Sequence, residues 1–144
     1  MTEDANILRM LSNIPIFAGI GIHEQNLVAR RCHIRSVAPD EIVIEQNDLS
    51  DFLYLIVDGT VEVSKKSASK GWVRVNLLSK GDFFGEIAIL RNIRRTARVT
   101  TKTPCTFLTL TGEDFLDIYQ TFPRQSRDNI QLVVAKRLAE LSAY

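Results

Sequence analysis

The residues best suited to chemistry in this 144-residue chain lie in one stretch. It runs Gly81-Asp-Phe-Phe-Gly85-Glu86-Ile87-Ala88-Ile89-Leu90, then Arg91-Asn-Ile-Arg-Arg95-Thr96-Ala97-Arg98-Val99. Gly85 permits close backbone approach, and the helix-prone segment Glu86–Leu90 predicts one short turn whose unpaired N–H groups and positive dipole end favour an anion. Arg95 follows Gly85 by ten residues. Its planar fork suits two phosphate oxygens, and one guanidinium balances one phosphodiester charge. Glu86 stands at the mouth of the same turn, where phosphate would repel it, so a sugar hydroxyl is its natural donor. Phosphate and sugar together imply a nucleotide. Singly, the features say less: the four arginines between 91 and 98 would also suit a solvated basic loop, and Gly85-Glu86 an ordinary turn.

Other chemistries find little to use. His23 and His33 are the only histidines, and neither stands at a metal-ligand spacing from a carboxylate. No nucleophile–base pair stands out, so no catalytic residue, metal or cofactor is expected. Cys32 and Cys105 are too few for a disulfide framework and are expected as reduced, buried thiols. The 18 basic and 17 acidic residues nearly cancel, which removes the positive field that drives binding to nucleic acid. The longest apolar run, Phe52 to Val57, is too short to span a bilayer, and no leader-like segment opens the chain. A cytoplasmic location without membrane insertion is the resulting expectation.

The elements that must position the stretch fall into three parts of a single domain, residues 1–144. In residues 1–31, clumped apolar residues interrupted by Pro15 and two glycines predict two short helices. Residues 32–110 turn β-branched and aromatic, with strands predicted at Ile34–Val37, Glu41–Glu45, Phe52–Val57, Thr60–Ser64, Trp72–Leu78, Thr96–Thr101 and Thr106–Leu110. That spacing suits a sandwich, jelly roll or barrel. Asp58-Gly59 predicts a hairpin pairing the third and fourth strands, and residues 65–71 an exposed tip. In residues 111–144, Thr111 and Asp114 resemble a capping box for a helix that Pro123 ends. A last helix then carries Ile130, Val133, Val134, Arg137, Leu138 and Leu141 along one face, an arginine inside an apolar stripe.

Phe84-Gly85-Glu86-Ile87-Ala88 with Arg95-Thr96-Ala97 at this spacing resembles the phosphate-binding cassette (residues 81–99) of the cyclic nucleotide-binding domain family, whose members include catabolite activator, protein kinase A regulatory and cyclic nucleotide-gated channel types. Phe52-Leu-Tyr-Leu-Ile and Gly59-Thr-Val-Glu-Val are similar to its strand pattern, and the likeness spans roughly residues 7 to 141. The resemblance implies an α+β fold. An antiparallel, jelly-roll-like β-roll of about seven or eight strands would carry N-terminal helices, a short cassette helix and C-terminal lid helices. It further implies that Glu86 and the Gly85 backbone hold the ribose, and that Arg95, the Thr96 hydroxyl and the backbone at Ile87 and Ala88 hold the phosphate. Val63, Leu78 and Phe84 would line the base pocket, with Arg137 and Leu141 covering it from the lid. Asn47 replaces a common glycine before the third strand, a place where Asn tolerates left-handed geometry. Asn92 and Arg94 replace a small residue and a proline, a change expected to loosen the cassette loop.

The implied function is a non-catalytic receptor for cyclic AMP, favoured over cyclic GMP by analogy alone, since Thr96 is compatible with either. Its lid helix would close on the ligand and signal to an effector protein or domain. The competing expectations are a β-roll interaction module that has lost nucleotide binding and acts by partner contact or oligomerisation, and the regulatory portion of a larger protein.

Overall fold

The computed structural model describes residues 3–144; the first two residues of the expected N-terminal segment lie outside the described residues. It opens on three helices where two were expected: α1 (Glu3–Ser12), α2 (Pro15–Ala18) and α3 (Ile22–Arg31). Pro15 accounts for the difference. It occupies the first turn of α2, where its fixed φ helps and its missing N–H costs nothing, so it starts a helix as well as ending one.

Eight strands follow: β1 (His33–Val37), β2 (Ile42–Ile44), β3 (Phe52–Asp58), β4 (Thr60–Ser67), β5 (Gly71–Ser79), β6 (Phe83–Phe84), β7 (Arg98–Thr101) and β8 (Cys105–Thr111). The short helix α4 (Glu86–Arg91) sits between β6 and β7, and α5 (Gly112–Tyr119) and α6 (Arg124–Ser142) complete the chain. All pairing is antiparallel, in two four-stranded sheets of order β1-β8-β3-β6 and β2-β7-β4-β5.

The first sheet is covered on both faces along β8, β3 and β6, while its edge strand β1 is mostly exposed, which explains why β3 reads as unbroken apolar sequence. Successive side chains alternate: Tyr54 and Ile56 pack between the sheets with Val61, Phe84, Val99 and Phe107. Leu53 and Leu55, with Leu108 and Leu110 of β8, face the helices, where Leu11, Phe17, Phe115 and Ile130 bury them. The second sheet has one solvated face.

The expected β3–β4 hairpin is not formed. β3 pairs with β6 and β8, β4 with β5 and β7, and Asp58-Gly59 is the corner where the chain passes from one sheet to the other. Gly59 does have the positive φ, 101°, that the Asp-Gly signal anticipates. A Cβ there would lie 2.6 Å from both the Pro104 carbonyl and Cys105 Sγ, so the corner also requires glycine for space. The true hairpin joins β4 and β5, with 68–70 at its tip. β7 begins at Arg98 rather than Thr96, and the two-residue β6 had no sequence signal.

Thr111 caps α5, its hydroxyl accepting the Asp114 N–H at 3.1 Å. The Asp114 carboxylate is taken by Arg31 at 3.2 Å, a contact that ties α5 to α3. The helix ends at Tyr119, and Pro123 serves as the N-cap of α6.

Candidate functional site

Gly85 adopts a left-handed conformation (φ 94°, ψ −2°) immediately before α4. A side chain there would strike the Phe52 carbonyl at 2.6 Å and Arg95 Nη1 at 3.0 Å, so glycine is needed both for the turn and for the approach of the arginine. No side chain caps α4, which leaves the first-turn N–H groups around Ile87 and Ala88 without helical partners. Asn92, also left-handed, ends the helix by donating its N–H to the Ala88 carbonyl. Asn takes this geometry more readily than other non-glycine residues.

The cassette loop is tied back to the turn before β3. Asn47, with φ 73°, donates its N–H to the Arg95 carbonyl at 2.8 Å, and the Arg95 N–H reaches the Asp48 carbonyl at 2.9 Å. Arg94 adds a bond from Nη1 to the Asn47 carbonyl at 3.1 Å. The substitutions at 92 and 94 thus leave a braced loop rather than a loosened one.

These ties place the Arg95 side chain inside the protein, 3% exposed. Its Nη1 donates to the Gly85 carbonyl (2.9 Å), Nη2 to the Phe52 carbonyl (2.8 Å) and Nε to Ser50 Oγ (3.3 Å). A guanidinium has five N–H donors, so two remain, one on each terminal nitrogen. Burial pulls the Arg95 pKa down, against the nearby Tyr54, Asp51, Glu86 and Asp48, but an arginine stays charged at any working pH.

Glu86 is deeper still, 1% exposed, and is not free as the sequence suggested. Arg137 Nη1 of α6 meets its carboxylate oxygens at 2.8 and 3.0 Å and also donates to the Phe83 carbonyl at 2.8 Å. The guanidinium lies over the Phe83 ring, 4.8 Å from its centre. Burial pushes the Glu86 carboxyl above the ordinary range, while Arg137 and, more weakly, Arg95 pull it back. The arginine inside the apolar stripe is thus the ion-pair partner of a buried acid 51 residues away. Since a carboxylate offers about four lone-pair sites, Glu86 keeps capacity for a further donor.

Arg95, Glu86 and Arg137 line one cleft. Every other residue the sequence nominated lies on the same cleft: Thr96, Ala88, Ile87, Gly85, Val63, Leu78, Phe84 and Leu141. The Thr96 hydroxyl makes no hydrogen bond among the described residues. Phe84 is mostly committed elsewhere, stacked on Tyr54 with ring centres 4.9 Å apart and edge-on to Phe107. Leu141, 7% exposed, joins Ile87, Ala97 and Val134 in an apolar cluster over the cleft. Sequence reading gave no site role to Ile44, Val75, Asn76, Ala97, Val99 and Glu140 on its walls. Asn76 had a usable signal, since it pairs with Val63 across the hairpin.

Among the described residues no group of three or more His, Cys, Asp or Glu side chains is placed to hold a metal ion. No described helix is long and apolar enough to cross a membrane.

A family model described as "Cyclic nucleotide-binding domain" matches residues 34–122. The cAMP-dependent protein kinase regulatory subunit of Yarrowia lipolytica is 36% identical over 105 residues, 73% of this chain and 27% of that protein. The regulatory domain of Toxoplasma gondii PKA, solved with cAMP, superposes with a TM-score of 0.84 at 19% identity, over 93% of this chain and 50% of that one. The regulatory subunit of a cAMP-independent protein kinase A from Trypanosoma brucei superposes at 0.83 and 22% identity, over 93% and 47%. This chain thus spans roughly a quarter to a half of the length of these relatives. With the family model covering more than half of the sequence and the β-roll present in full, the chain belongs to the cyclic nucleotide-binding domain family.

Proposed function

We propose that the chain is a non-catalytic receptor for cyclic AMP, in which Arg95 and Glu86 grip the phosphate and ribose and α6 reports occupancy to an effector protein. One observation carries this reading: a buried arginine with two unspent N–H donors and a buried carboxylate with unspent acceptor capacity face the same cleft. The two donors match two phosphate oxygens, with the first-turn N–H groups at Ile87 and Ala88 and the Thr96 hydroxyl beside them. A ribose hydroxyl supplies the donor that Glu86 lacks, with the Gly85 backbone alongside. The base lies against Val63 and Leu78, at the edge of Phe84, under Leu141.

Arg137 acts here through Glu86 rather than on the base. It holds the carboxylate charged and aimed, and it fastens α6 to the site. A ligand shifts such a helix only by binding the closed state better; turning a 1:99 mixture into 99:1 takes about 5.5 kcal/mol of difference. Contacts from α6 itself must supply it.

Cyclic AMP is favoured because the Yarrowia relative is named cAMP-dependent and the Toxoplasma domain holds cAMP. The Trypanosoma fold, equally similar, is named cAMP-independent, so the fold does not choose the ligand and the cleft residues must. Titration calorimetry with cyclic AMP and cyclic GMP tests the reading: tighter binding of cyclic AMP is expected. Tighter cyclic GMP would overturn the base assignment, and no heat from either would overturn the receptor.

A further inference from the structure

We infer that Lys65 of β4 is a second latch on α6, fastening the last turn of that helix over the cleft as Arg137 fastens its middle. The carbonyls of a final helical turn lack intrahelical partners and carry the negative end of the dipole. The last turn of α6 has no basic residue of its own to meet them. Lys65 Nζ supplies one from another element, donating to the Leu141 carbonyl at 2.9 Å, shorter than the 3.3 Å bond that carbonyl accepts from the Tyr144 N–H.

Three features separate this contact from an ordinary strand lysine reaching for solvent. The side chain is part-buried in a groove beside Leu138 and Ser142. Lys65 makes no ion pair among the described residues, so its ammonium is not held by a carboxylate. The carbonyl it holds belongs to Leu141, whose side chain roofs the cleft with Ile87, Ala97 and Val134. Fixing that carbonyl fixes the roof.

The two latches also come from opposite walls. Arg137 joins α6 to Glu86 of α4 and Phe83 of β6, whereas Lys65 joins it, one turn further on, to the second sheet. A ligand leaving past Leu141 must break the Lys65 contact. Lys65 reaches the site only through the Leu141 backbone carbonyl, not through a side chain assigned to ligand, so it is a positioning residue that sets residence time through the helix; this part rests on the receptor reading above.

The test compares wild type with Lys65→Met, which keeps the stem and loses the charge, with Lys65→Arg, which keeps the charge, and with Lys66→Met, its exposed neighbour. Without ligand, amide hydrogen exchange over residues 138–144 should be roughly 3- to 10-fold faster in Lys65→Met and unchanged in the other two, the size expected for one charged contact at a helix end. Dissociation of a fluorescent cyclic AMP analogue should accelerate by a similar factor in Lys65→Met alone. The effect should shrink at about 1 M salt, where the Debye length falls to about 3 Å. Unchanged exchange over 138–144 in Lys65→Met would overturn the latch, as would equal acceleration in Lys66→Met. If wild type binds no cyclic nucleotide, the receptor reading falls while ligand-free exchange still decides the latch.

Discussion

Replacing Arg137 by Met should expose how much of this fold depends on compensating one buried acid. The Glu86 side chain is 2% exposed and its partner's 16%, so little water reaches either. Removing one member of such a pair costs about 3–5 kcal/mol, because the remaining charge is stranded. Two details set the value toward the lower end. Arg95 also attracts the Glu86 carboxylate, and the carboxyl can escape by taking a proton. That escape gives the prediction its sign. In the variant, the folded pKa of Glu86 stands further above its unfolded value than in wild type. Relative to wild type, the penalty is absent at low pH, grows by at most about 1.4 kcal/mol per pH unit between the wild-type and the variant folded pKa of Glu86, and is constant above both.

Urea unfolding of wild type, Arg137→Met, Glu86→Gln and the double variant at several pH values between 5 and 8 would measure this. Arg137→Met should lose most at pH 8 and least at pH 5. Adding Glu86→Gln should restore more than about 2 kcal/mol of the loss at pH 8, since no charge is then left stranded. Glu86→Gln alone should cost less, as Arg137 keeps the Phe83 carbonyl and some water. A pH-independent loss, or single costs that add to the double within about 0.5 kcal/mol, would refute the reasoning.

Two further outcomes follow from burial and backbone geometry. Burial pushes the Cys32 thiol from about 9 up to about 12, so between these values the unfolded chain releases a proton that the fold retains; stability should fall by about 1.4 kcal/mol per pH unit, and Cys32→Ala should remove that part of the slope in alkaline unfolding curves. Gly59→Ala should cost more than about 2 kcal/mol, from a positive φ and a Cβ 2.6 Å from Pro104 O and Cys105 Sγ, whereas Gly71→Ala, with φ 69° but nothing within 4 Å, should cost only about 1 kcal/mol in thermal unfolding.

What could be read in advance was what depends on local chemistry. Gly85, Glu86 and Arg95 lie within eleven consecutive residues, and a left-handed glycine, a short helix and a fork-shaped cation imply an anion site without knowledge of the fold. The Asp58-Gly59 signal holds for its φ and fails for its partner strand. A positive φ serves a corner between sheets as well as a hairpin, and only the apolar character of both faces of β3 distinguishes the two. Thr96 and Ala97 have strand composition but lie outside β7. The Arg95 backbone is drawn instead to Asn47 and Asp48, which β-propensity does not register. The Glu86–Arg137 pair spans 51 residues and left one trace in the sequence, a charge within an apolar stripe. Lys65 left none, because a lysine on a half-buried strand looks the same whether or not a helix end reaches it.

The central claim is that Arg95 binds the phosphate of a cyclic nucleotide, and calorimetric titration of cyclic AMP into wild type and Arg95→Leu tests it most directly. Circular dichroism should first establish that the variant, which loses three internal hydrogen bonds, still folds. Two charge-assisted bonds at about 1.5–3 kcal/mol each predict an affinity loss of roughly 10²- to 10⁴-fold. A folded Arg95→Leu protein binding cyclic AMP as tightly as wild type would contradict the account.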